Sequence, residues 1–277
     1  MVQIKTMSAE DFSYATQLSN TADWNMSDED FQLTVNLEPE GCFVAYQGSE
    51  RLGIATCISY GKLGWFGNLI VAEPHRGKGV GAFLVKHALE YLRGNGVETV
   101  GLYAVSNLVG FYRKFGFRKD IEFTVLHKQS PTAASKVKLT QAKEQDVSAL
   151  MALDVECFGA DRRKLLNAII SKEGNLCYCL PNNGEIKGYV AAKVYVEMAE
   201  VGPLICKDDD SAKMLLEVVM DRLQGLYVTI CLPKKEISLI NFLSRLGFEE
   251  DFSVPRMFLG SPSAMKCVYV AESLERG

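Results

Sequence analysis

The chain has 277 residues, 48% of them hydrophobic, which is enough to bury one large core or, as we expect, two of ordinary size. The formal net charge is −4 at pH 7, and the charged residues are spread along the chain without a basic stripe. This distribution argues against nucleic acid as a principal partner. We also expect no membrane span, because no apolar run reaches the roughly 20 residues that a bilayer requires.

The N-terminal part predicts helices followed by a meander of strands. Ser27 precedes Asp30 by three residues, an acidic variant of the capping box that opens a helix. Apolar runs that alternate or continue between glycine-rich turns then indicate strands. The predicted elements are helices at residues 9–19 and 28–37, strands at 42–47, 51–60 and 65–71, a helix after a glycine loop, a strand at 99–104, a helix at 107–115 and a strand at 122–127.

A glycine-rich loop joins the third predicted strand to the next helix. It reads Arg76-Gly-Lys-Gly-Val-Gly81, and it follows a Glu-Pro-His turn that ends the strand. The first turn of a helix offers free amide hydrogens and the positive end of the helix dipole to an anion. Glycines let a diphosphate approach the backbone, and the two basic side chains add charge. We therefore predict a phosphate-binding loop rather than a turn that merely starts a helix.

Two other phosphate-binding motifs fit this loop less well. A Walker loop needs Ser or Thr after Gly-Lys, whereas Gly79 follows Lys78 and offers no hydroxyl to magnesium. A dinucleotide fingerprint is formally satisfied by Gly77, Gly79 and Ala82. However, residues 73–76 separate the strand from these glycines, and about seventy residues precede the motif. The first motif is excluded and the second is weak.

The pattern Arg76-x-x-Gly79-x-Gly81 after an apolar strand resembles the coenzyme A signature of the GNAT superfamily of acetyl-coenzyme A dependent N-acetyltransferases. Residues 107–117 are similar to the family's second signature, in which an Asn opens a short helix whose Tyr precedes a Gly-Phe pair. The resemblance implies a set of residues that bind acetyl-coenzyme A. They are Leu69, Ile70, Val71, Arg76, Gly77, Lys78, Gly79, Val80, Gly81, Asn107, Tyr112 and Arg113.

The order of the predicted elements also resembles that of a GNAT domain. This implies an α/β (α+β) fold, in which a mixed, mostly antiparallel sheet is flanked by helices and splayed between its fourth and fifth strands to admit the pantetheine arm. A linker without apolar periodicity at residues 129–136 separates two predicted domains, 1–130 and 136–277. The second repeats the plan, with helices near 143–157, 161–171 and 211–223, strands at 176–180, 186–196, 200–205 and 226–231, and residues 241–248 similar to 110–117.

The second half lacks the glycine loop. At the corresponding place, residues 206–213 contain three consecutive carboxylates, Asp208, Asp209 and Asp210. A like-charge pair at about 4 Å costs roughly 1 to 4 kcal/mol depending on the dielectric, so these residues would repel a diphosphate. They are favourable at the start of a helix. We predict that this domain is structural or substrate-facing, and its residues 255–260 resemble a C-terminal module of some tandem GNAT proteins.

Acetyl transfer requires a neutral amine to attack a thioester carbonyl while a thiolate leaves. A backbone amide of the open strand, that of Leu69 or Val71, is the candidate for holding the carbonyl oxygen. The resemblance implies that Tyr112 protonates the thiolate, and the alternative is a tyrosine with its ring in the core and its hydroxyl in water. Asn107 binds a pantetheine amide or caps its own helix, and both roles suit asparagine.

Two residues compete for the role of general base. Glu73 is the carboxylate nearest the loop, and His75 competes because of its pKa, although both are also ordinary polar turn residues. Arg113 and Lys114 either reach a phosphate of coenzyme A or stay solvated. Four residues remain undecided between the core and the acceptor pocket: Trp24, Tyr60, Trp65 and Asn68.

The predicted function is transfer of the acetyl group of acetyl-coenzyme A to a primary amine by direct attack in a ternary complex. The alternative is a non-catalytic acyl-coenzyme A binding regulatory module. The amine is left open between a polyamine, an amino sugar, an amino acid and a protein lysine. We expect a cytoplasmic protein with free thiols, because eight cysteines are scattered and no leader segment is evident. We also expect a monomer or weak homodimer, since two GNAT-like halves in one chain can satisfy internally the pairing that single-domain relatives make with a second subunit. We expect no metal, because Cys177 and Cys179 have the wrong spacing for zinc.

Overall fold

The computed structural model describes residues 1–131, 133, 135, 137–182, 185–261 and 266–277. The chain folds into two compact units, one formed by Met1–Leu102 with Arg276 and the other by Tyr103–Glu275 with Gly277. Each contains a mostly antiparallel sheet and helices, which confirms the predicted fold class. Among the residues described, no helix is long and apolar enough to cross a membrane.

The first unit contains, in chain order, β1 (Val2–Thr6), a 3-10 turn (Ala9–Asp11), α1 (Phe12–Asn20), α2 (Asp28–Leu37), β2 (Cys42–Gln47), β3 (Glu50–Tyr60), β4 (Leu63–Val71), a 3-10 turn (Glu73–His75), α3 (Val80–Gly94) and β5 (Thr99–Tyr103). Its strands lie side by side in chain order. Neighbours are antiparallel from β1 to β4, whereas β4 and β5 are parallel. The parallel pair requires a crossover connection, which α3 supplies.

The start of α2 agrees with its sequence signal. The backbone nitrogen and the hydroxyl of Ser27 both donate to Oδ2 of Asp30, at 2.9 and 2.7 Å. This capping box satisfies groups at the helix start that have no partner inside the helix. The observed bounds of α2 and β2 are also those predicted from the sequence.

Helices cover both faces of the first sheet. On one face, Val44 belongs to a buried cluster that includes Phe31 of α2. On the other face, Phe43 makes edge-to-face contacts with His87 and Tyr91 of α3, at centroid distances of 4.7 and 5.7 Å. Because successive side chains of a strand point to opposite faces, these neighbours define an α1/α2 face and an α3 face.

The second unit contains, in chain order, a 3-10 turn (Ser106–Leu108), α4 (Val109–Arg113), β6 (Arg118–Gln129), a 3-10 turn (Glu144–Asp146), α5 (Val147–Phe158), α6 (Arg163–Ser171), β7 (Leu176–Asn182), β8 (Glu185–Val194), β9 (Met198–Cys206), α7 (Asp209–Arg222), β10 (Tyr227–Pro233), α8 (Ile237–Arg245), β11 (Glu249–Leu259) and β12 (Val268–Val270). The strand order is β11-β6-β10-β9-β8-β7, with β12 beside β9. The helix predicted at residues 107–115 is therefore shorter than expected, and β12 has no sequence prediction.

β6 pairs with strands from the far end of the chain. It is antiparallel to β10, with Val125 opposite Cys231, and to β11, with Thr124 opposite Ser253. The last strand of the first predicted domain therefore shares its ladder with the second unit. The boundary between the predicted domains 1–130 and 136–277 is inferred from the repeat in the sequence, and it stays a prediction. Residues 132, 134 and 136 of the predicted linker lie outside the described residues.

β12 closes the second sheet where two of its strands diverge. β9 is parallel to β10 and pairs with it from Met198 to Val201. Beyond that point β12 pairs antiparallel with the end of β9, and the Ala271 amide donates to the Cys231 carbonyl of β10 at 2.9 Å. β12 therefore fills the space between the diverging ends of β9 and β10.

The backbone after β12 passes directly over Gly202 of β9. A Cβ atom on Gly202 would overlap the carbonyl oxygen of Ala271 and lie 3.1 Å from Cα of Glu272. Glu272 is itself buried and forms an ion pair of 2.6 Å with the buried Lys193. Glycine at position 202 is thus a condition for this close approach.

A disulfide shows that the expectation of free thiols at every cysteine is wrong. Cys157 of α5 and Cys267, which directly precedes β12, are bonded, with Cα atoms 5.6 Å apart. The bond ties β12 to α5 across a sequence separation of 110 residues. The remaining six cysteines keep their thiols.

We predict that Gly202→Ala lowers the free energy of unfolding by about 3 kcal/mol, because the added methyl group forces the chain at Ala271 away from β9. Gly110→Ala is the control, since a Cβ there meets no atom within 4 Å. Urea unfolding of both variants measures the difference. An unchanged free energy for Gly202→Ala would contradict the close approach.

We predict that replacing Cys157 and Cys267 together by Ser lowers the free energy of unfolding by about 2 to 5 kcal/mol, because the crosslink restricts the unfolded chain. In denaturant, the native protein should titrate six thiols before reduction and eight after it. Cys179→Ser, which leaves the disulfide in place, controls for loss of a thiol. Eight thiols before reduction would show that the bond does not form.

Candidate functional site

An opening in the first sheet lies between β4 and β5. These parallel strands pair only from Leu63 to Trp65 of β4. Within the described residues, the remainder of β4, residues 66–71, has no register partner in β5. Because an unpaired strand edge presents backbone N–H and C=O groups, this stretch can bind an extended ligand. The predicted splay between the fourth and fifth strands is confirmed.

β4 carries a bulge within this open stretch. The register with β3 shifts opposite Ala55, where two residues of β4, Asn68 and Leu69, face one residue of β3. Asn68 has a φ of +49°, in the left-handed region. A bulge disrupts the ladder locally and leaves its extra residue unpaired. The bulge therefore lies in the part of β4 whose other edge has no register partner in β5.

The glycine loop lies between the end of β4 and α3. Gly77 and Gly79 have φ values of +75° and +88°, which residues with a side chain rarely adopt. A Cβ on either glycine would meet no atom within 4 Å, and Gly79 is the N-cap residue of α3. The loop thus offers an open surface beside the free amide hydrogens of the first helical turn, as an anion site requires.

Two other residues of this segment hold the loop in place, and a third is exposed to solvent. Arg76 Nε donates to the carbonyl oxygen of Val71 at 2.9 Å, which ties the loop to the end of β4. Val80 is only 4% exposed and anchors the start of α3 in the core. Lys78 is exposed, so its charge is available to an anion at the loop.

Both candidates for the general base lie in the 3-10 turn between β4 and the loop. Nε2 of His75 is 3.0 Å from Oε1 of Glu50, so this imidazole is already engaged with a carboxylate. Glu73 is exposed, and no ion pair joins it to another described residue. Of the two, Glu73 is the more available to accept a proton.

The second sequence signature lies in the second unit. Tyr112 of α4 is 5% exposed, and its ring packs edge-to-face against Phe111 and Phe117 at 5.2 and 5.9 Å. Burial raises the pKa of the Tyr112 hydroxyl, which therefore stays protonated through the neutral range. Asn107 is exposed within its 3-10 turn. The N-cap residue of α4 is Leu108, so Asn107 does not cap that helix.

Arg113 lines a surface cavity of 430 Å³ in the second unit. The other lining residues are Gly116, Phe117, Arg118 and Lys119. Three cationic side chains and no carboxylate line this cavity, so it favours an anion. The predicted site residues are thus divided by unit: those of the stretch 69–81 belong to the first, and Asn107, Tyr112 and Arg113 belong to the second.

The start of α7, the counterpart of the glycine loop, is occupied by its own carboxylate. Asp208 is the N-cap residue and accepts a hydrogen bond from the Ser211 amide at 2.9 Å. Lys187 Nζ lies 3.0 Å from its other oxygen. The Ser211 amide and Lys187 lower the pKa of Asp208. This agrees with the predicted role of these carboxylates at a helix start.

Two buried polar residues of the first unit, Asn68 and Arg276, were not assigned to the site from sequence. For Asn68 the sequence does contain a signal: the Gly-Asn pair at residues 67–68, inside an apolar run, indicates a bulge. Arg276 is 1% exposed: its carbonyl accepts from the Tyr60 hydroxyl at 3.0 Å, and its Nη1 lies 3.3 Å from Thr34 Oγ1. No sequence signal brings residue 276 to these partners.

Each half of the chain matches a family model. Residues 4–117 match the acetyltransferase (GNAT) family, and residues 150–269 match an acetyltransferase (GNAT) domain. The first match includes both the glycine loop and Tyr112. The second includes β9 and α7, whose counterparts in the first half are β4 and α3.

The similarity to known proteins extends over most of the chain. It is 25% identical over 261 residues to holothin acyltransferase of Pseudoalteromonas sp. (strain SANK 73390), covering 92% of this chain and 87% of that protein. It is 27% identical over 249 residues to the uncharacterized N-acetyltransferase YitH of Bacillus subtilis (strain 168), covering 87% and 86%. The crystal structure of a proposed acetyltransferase from Pyrococcus horikoshii has a TM-score of 0.86 at 22% identity, covering 100% and 96% of the two chains, and thus shares the fold.

Proposed function

Because this chain belongs to the GNAT acetyltransferase family in both of its halves, we propose that it transfers the acetyl group of acetyl-coenzyme A to a primary amine. The observation that carries the proposal is the open edge of β4, which leads from the bulge at Asn68 towards the glycine loop before α3. A strand edge suits the extended pantetheine arm, and a helix N-terminus suits the diphosphate.

In this proposal the diphosphate lies against Gly77 and Gly79, where the φ values keep the backbone open. Lys78 contributes charge, and Arg76 holds the loop to β4. The first-turn amide hydrogens of α3 donate to the phosphate oxygens. The remaining coenzyme contacts follow the family resemblance: Leu69, Ile70, Val71, Val80, Gly81, Asn107, Tyr112 and Arg113.

The reaction forms a C–N bond and breaks a C–S bond. The neutral amine attacks the thioester carbon, and negative charge develops on the carbonyl oxygen before the thiolate leaves. The amide of Leu69 or Val71 holds that oxygen, and the bulge beside Leu69 supports this choice. Tyr112 gives its proton to the thiolate. Glu73 accepts the proton that the amine loses, directly or through a water molecule.

The second half, in this proposal, binds no coenzyme and is structural or substrate-facing. Two observations support this role: β12 fills the gap between β9 and β10, and Asp208 occupies the start of α7. The acceptor is a small molecule or a peptide that presents a primary amine. We further propose that the protein acts as a monomer or weak homodimer.

The decisive experiment follows release of the coenzyme A thiol from acetyl-coenzyme A. The amines supplied one at a time are spermidine, glucosamine, free lysine and a lysine-containing peptide. Thiol release that requires one of these amines, with the acetylated amine found by mass spectrometry, supports the enzyme. Tight binding of acetyl-coenzyme A without amine-dependent release would instead favour a non-catalytic acyl-coenzyme A binding module.

We predict that Gly79→Ala weakens coenzyme A binding about tenfold, which corresponds to about 1.4 kcal/mol. An alanine at a φ of +88° is strained, so the loop amides move away from the diphosphate. Gly96→Ala is the matched control, because Gly96 has a φ of +79° and equally open surroundings but follows the C-terminal end of α3. Calorimetric titration should show weaker binding for Gly79→Ala only. Equal affinities for the two variants would contradict the proposed diphosphate site.

We predict that Tyr112→Phe lowers kcat by about 100-fold, because the departing thiolate loses its acid. Binding of coenzyme A should change less than about twofold, since no phosphate contact is removed. Because burial raises the pKa of Tyr112 above 10, this residue should keep its proton at every pH below 10. Ionisation of Tyr112 should therefore not lower the native rate in that pH range. Tyr195→Phe, which removes a hydroxyl 3.4 Å from Glu200, is the control. An undiminished kcat for Tyr112→Phe would exclude it as the acid.

A further inference from the structure

Asn68 has a buried polar atom that no described residue satisfies. Its side-chain nitrogen donates to Thr56 Oγ1 of β3 at 3.2 Å. Its Oδ1 has no hydrogen-bond partner among the residues described, although Asn68 is only 4% exposed. Buried amide oxygens in folded proteins are nearly always paired, with protein or with a bound molecule. The open oxygen therefore indicates a place for a hydrogen-bond donor that is absent from the chain itself.

The backbone of Asn68 is also held in an unusual conformation. Its φ of +49° lies in the left-handed region, within a strand and at a bulge. Asparagine tolerates this region better than most residues, but it is still less stable there than in an extended strand. An unpaired buried oxygen and a left-handed backbone thus coincide in one residue. Strained residues of this kind cluster at active sites and ligand-binding positions.

The face on which this amide lies can be derived from β3. Thr56, its hydrogen-bond partner, is two residues from Ile54, and side chains two apart in a strand share a face. Ile54 packs in the buried cluster with Phe12 of α1 and Phe31 of α2. The Asn68 amide therefore lies on the α1/α2 face, opposite the face covered by α3.

The same face carries other buried polar groups of the first unit. Thr34 of α2 lies near the guanidinium group of Arg276, and the Tyr60 hydroxyl donates to the carbonyl oxygen of Arg276. Tyr60 is four residues from Thr56 along β3, so it shares the face of Thr56. These groups are buried and bond to one another, whereas Oδ1 of Asn68 has no partner among the described residues.

We propose that Oδ1 of Asn68 accepts a hydrogen bond from the amino group of the acceptor and thereby orients its nitrogen towards the thioester. This inference rests on the proposed function. An amide oxygen accepts but does not donate, so it cannot bind the thioester carbonyl oxygen, which also only accepts. The attacking amine, by contrast, brings N–H groups to the reacting carbon. A neutral primary amine has two of them, so one bond to Asn68 leaves its lone pair free to attack.

The position of Asn68 in β4 fits this role. It directly precedes Leu69, one of the two residues whose amide is proposed to hold the thioester oxygen. The amide hydrogen at position 69 would then bind one reactant, and the Asn68 side chain would bind the other. Two adjacent residues of one bulge would thus fix the distance between the nitrogen and the carbon that it attacks. Asn68 is a positioning residue in this scheme, since it takes no proton.

The test compares Asn68→Gly with Asn68→Asp in steady-state kinetics. Glycine adopts the left-handed φ without strain and removes the amide, whereas aspartate keeps an acceptor oxygen at the same place. The substrates are acetyl-coenzyme A and whichever of spermidine, glucosamine, free lysine and the lysine-containing peptide gives the highest kcat/KM. A thermal unfolding scan shows that each variant is folded.

For Asn68→Gly we expect KM for the amine to rise roughly tenfold, the loss of one hydrogen bond, while KM for acetyl-coenzyme A changes less than about twofold. Asn68→Asp should keep KM for the amine within about threefold of the native value, because its oxygen still accepts. An Asn68→Gly protein with unchanged KM for the amine would overturn the inference. So would a rise confined to KM for acetyl-coenzyme A, which would assign Asn68 to the pantetheine arm.

Failure of the proposed function gives a different result. In that case the native protein releases no thiol with any of the four amines, whatever residue is present at position 68. That outcome would overturn the role of Asn68 together with the transferase activity. The other possible failure is that the native protein turns over an amine and the Asn68→Gly variant has the same KM for that amine. This result would overturn the role of Asn68 alone.

Discussion

The end of the parallel pairing between β4 and β5 at Trp65 is the constraint on which the first unit depends. A parallel pair needs a crossover connection, and α3 must begin close to the end of β4 that leads into it. The part of β4 whose edge is left unpaired by the divergence is therefore followed by the N-terminus of a helix, α3. The unpaired edge and the helix N-terminus, which are the places proposed for the extended arm and for its phosphates, therefore follow from one piece of topology. Gly77 and Gly79 keep that second site open.

The second unit repeats this topology, but the gap between its diverging parallel strands is filled by another strand of the chain. β9 and β10 are parallel and diverge after Val201, as β4 and β5 do after Trp65. In the second unit the gap holds β12, which the disulfide at Cys267 ties to α5. The helix that follows β9 has Asp208 as its N-cap residue, and the Asp208 carboxylate accepts the amide hydrogen that an anion would otherwise bind. The same framework is thus suited to a ligand in one unit and filled by the chain itself in the other.

The bulges in β4 and β9 show the same contrast. In the first unit, Asn68 and Leu69 face Ala55, and Asn68 retains an unpaired oxygen on the α1/α2 face. In the second unit, the register shift opposite Ala191 includes Gly202, over which the backbone at residue 271 packs. A bulge that leaves groups unpaired is stable when another part of the chain covers it. Where nothing in its own unit pairs with the oxygen of Asn68, the unpaired group is best explained by a ligand.

The sequence by itself determined what depends on neighbours in the chain. The bounds of α2 and β2 and the glycine loop before α3 follow from periodicity and backbone preferences over a few residues. The unpaired oxygen of Asn68 does not, because it depends on which atoms of other strands come near. Only the tertiary structure decided the pairing of β6 with β11, the insertion of β12, and the bond between two cysteines 110 residues apart. Those contacts join strand edges and faces that meet only when the whole chain has folded, so no local pattern specifies them.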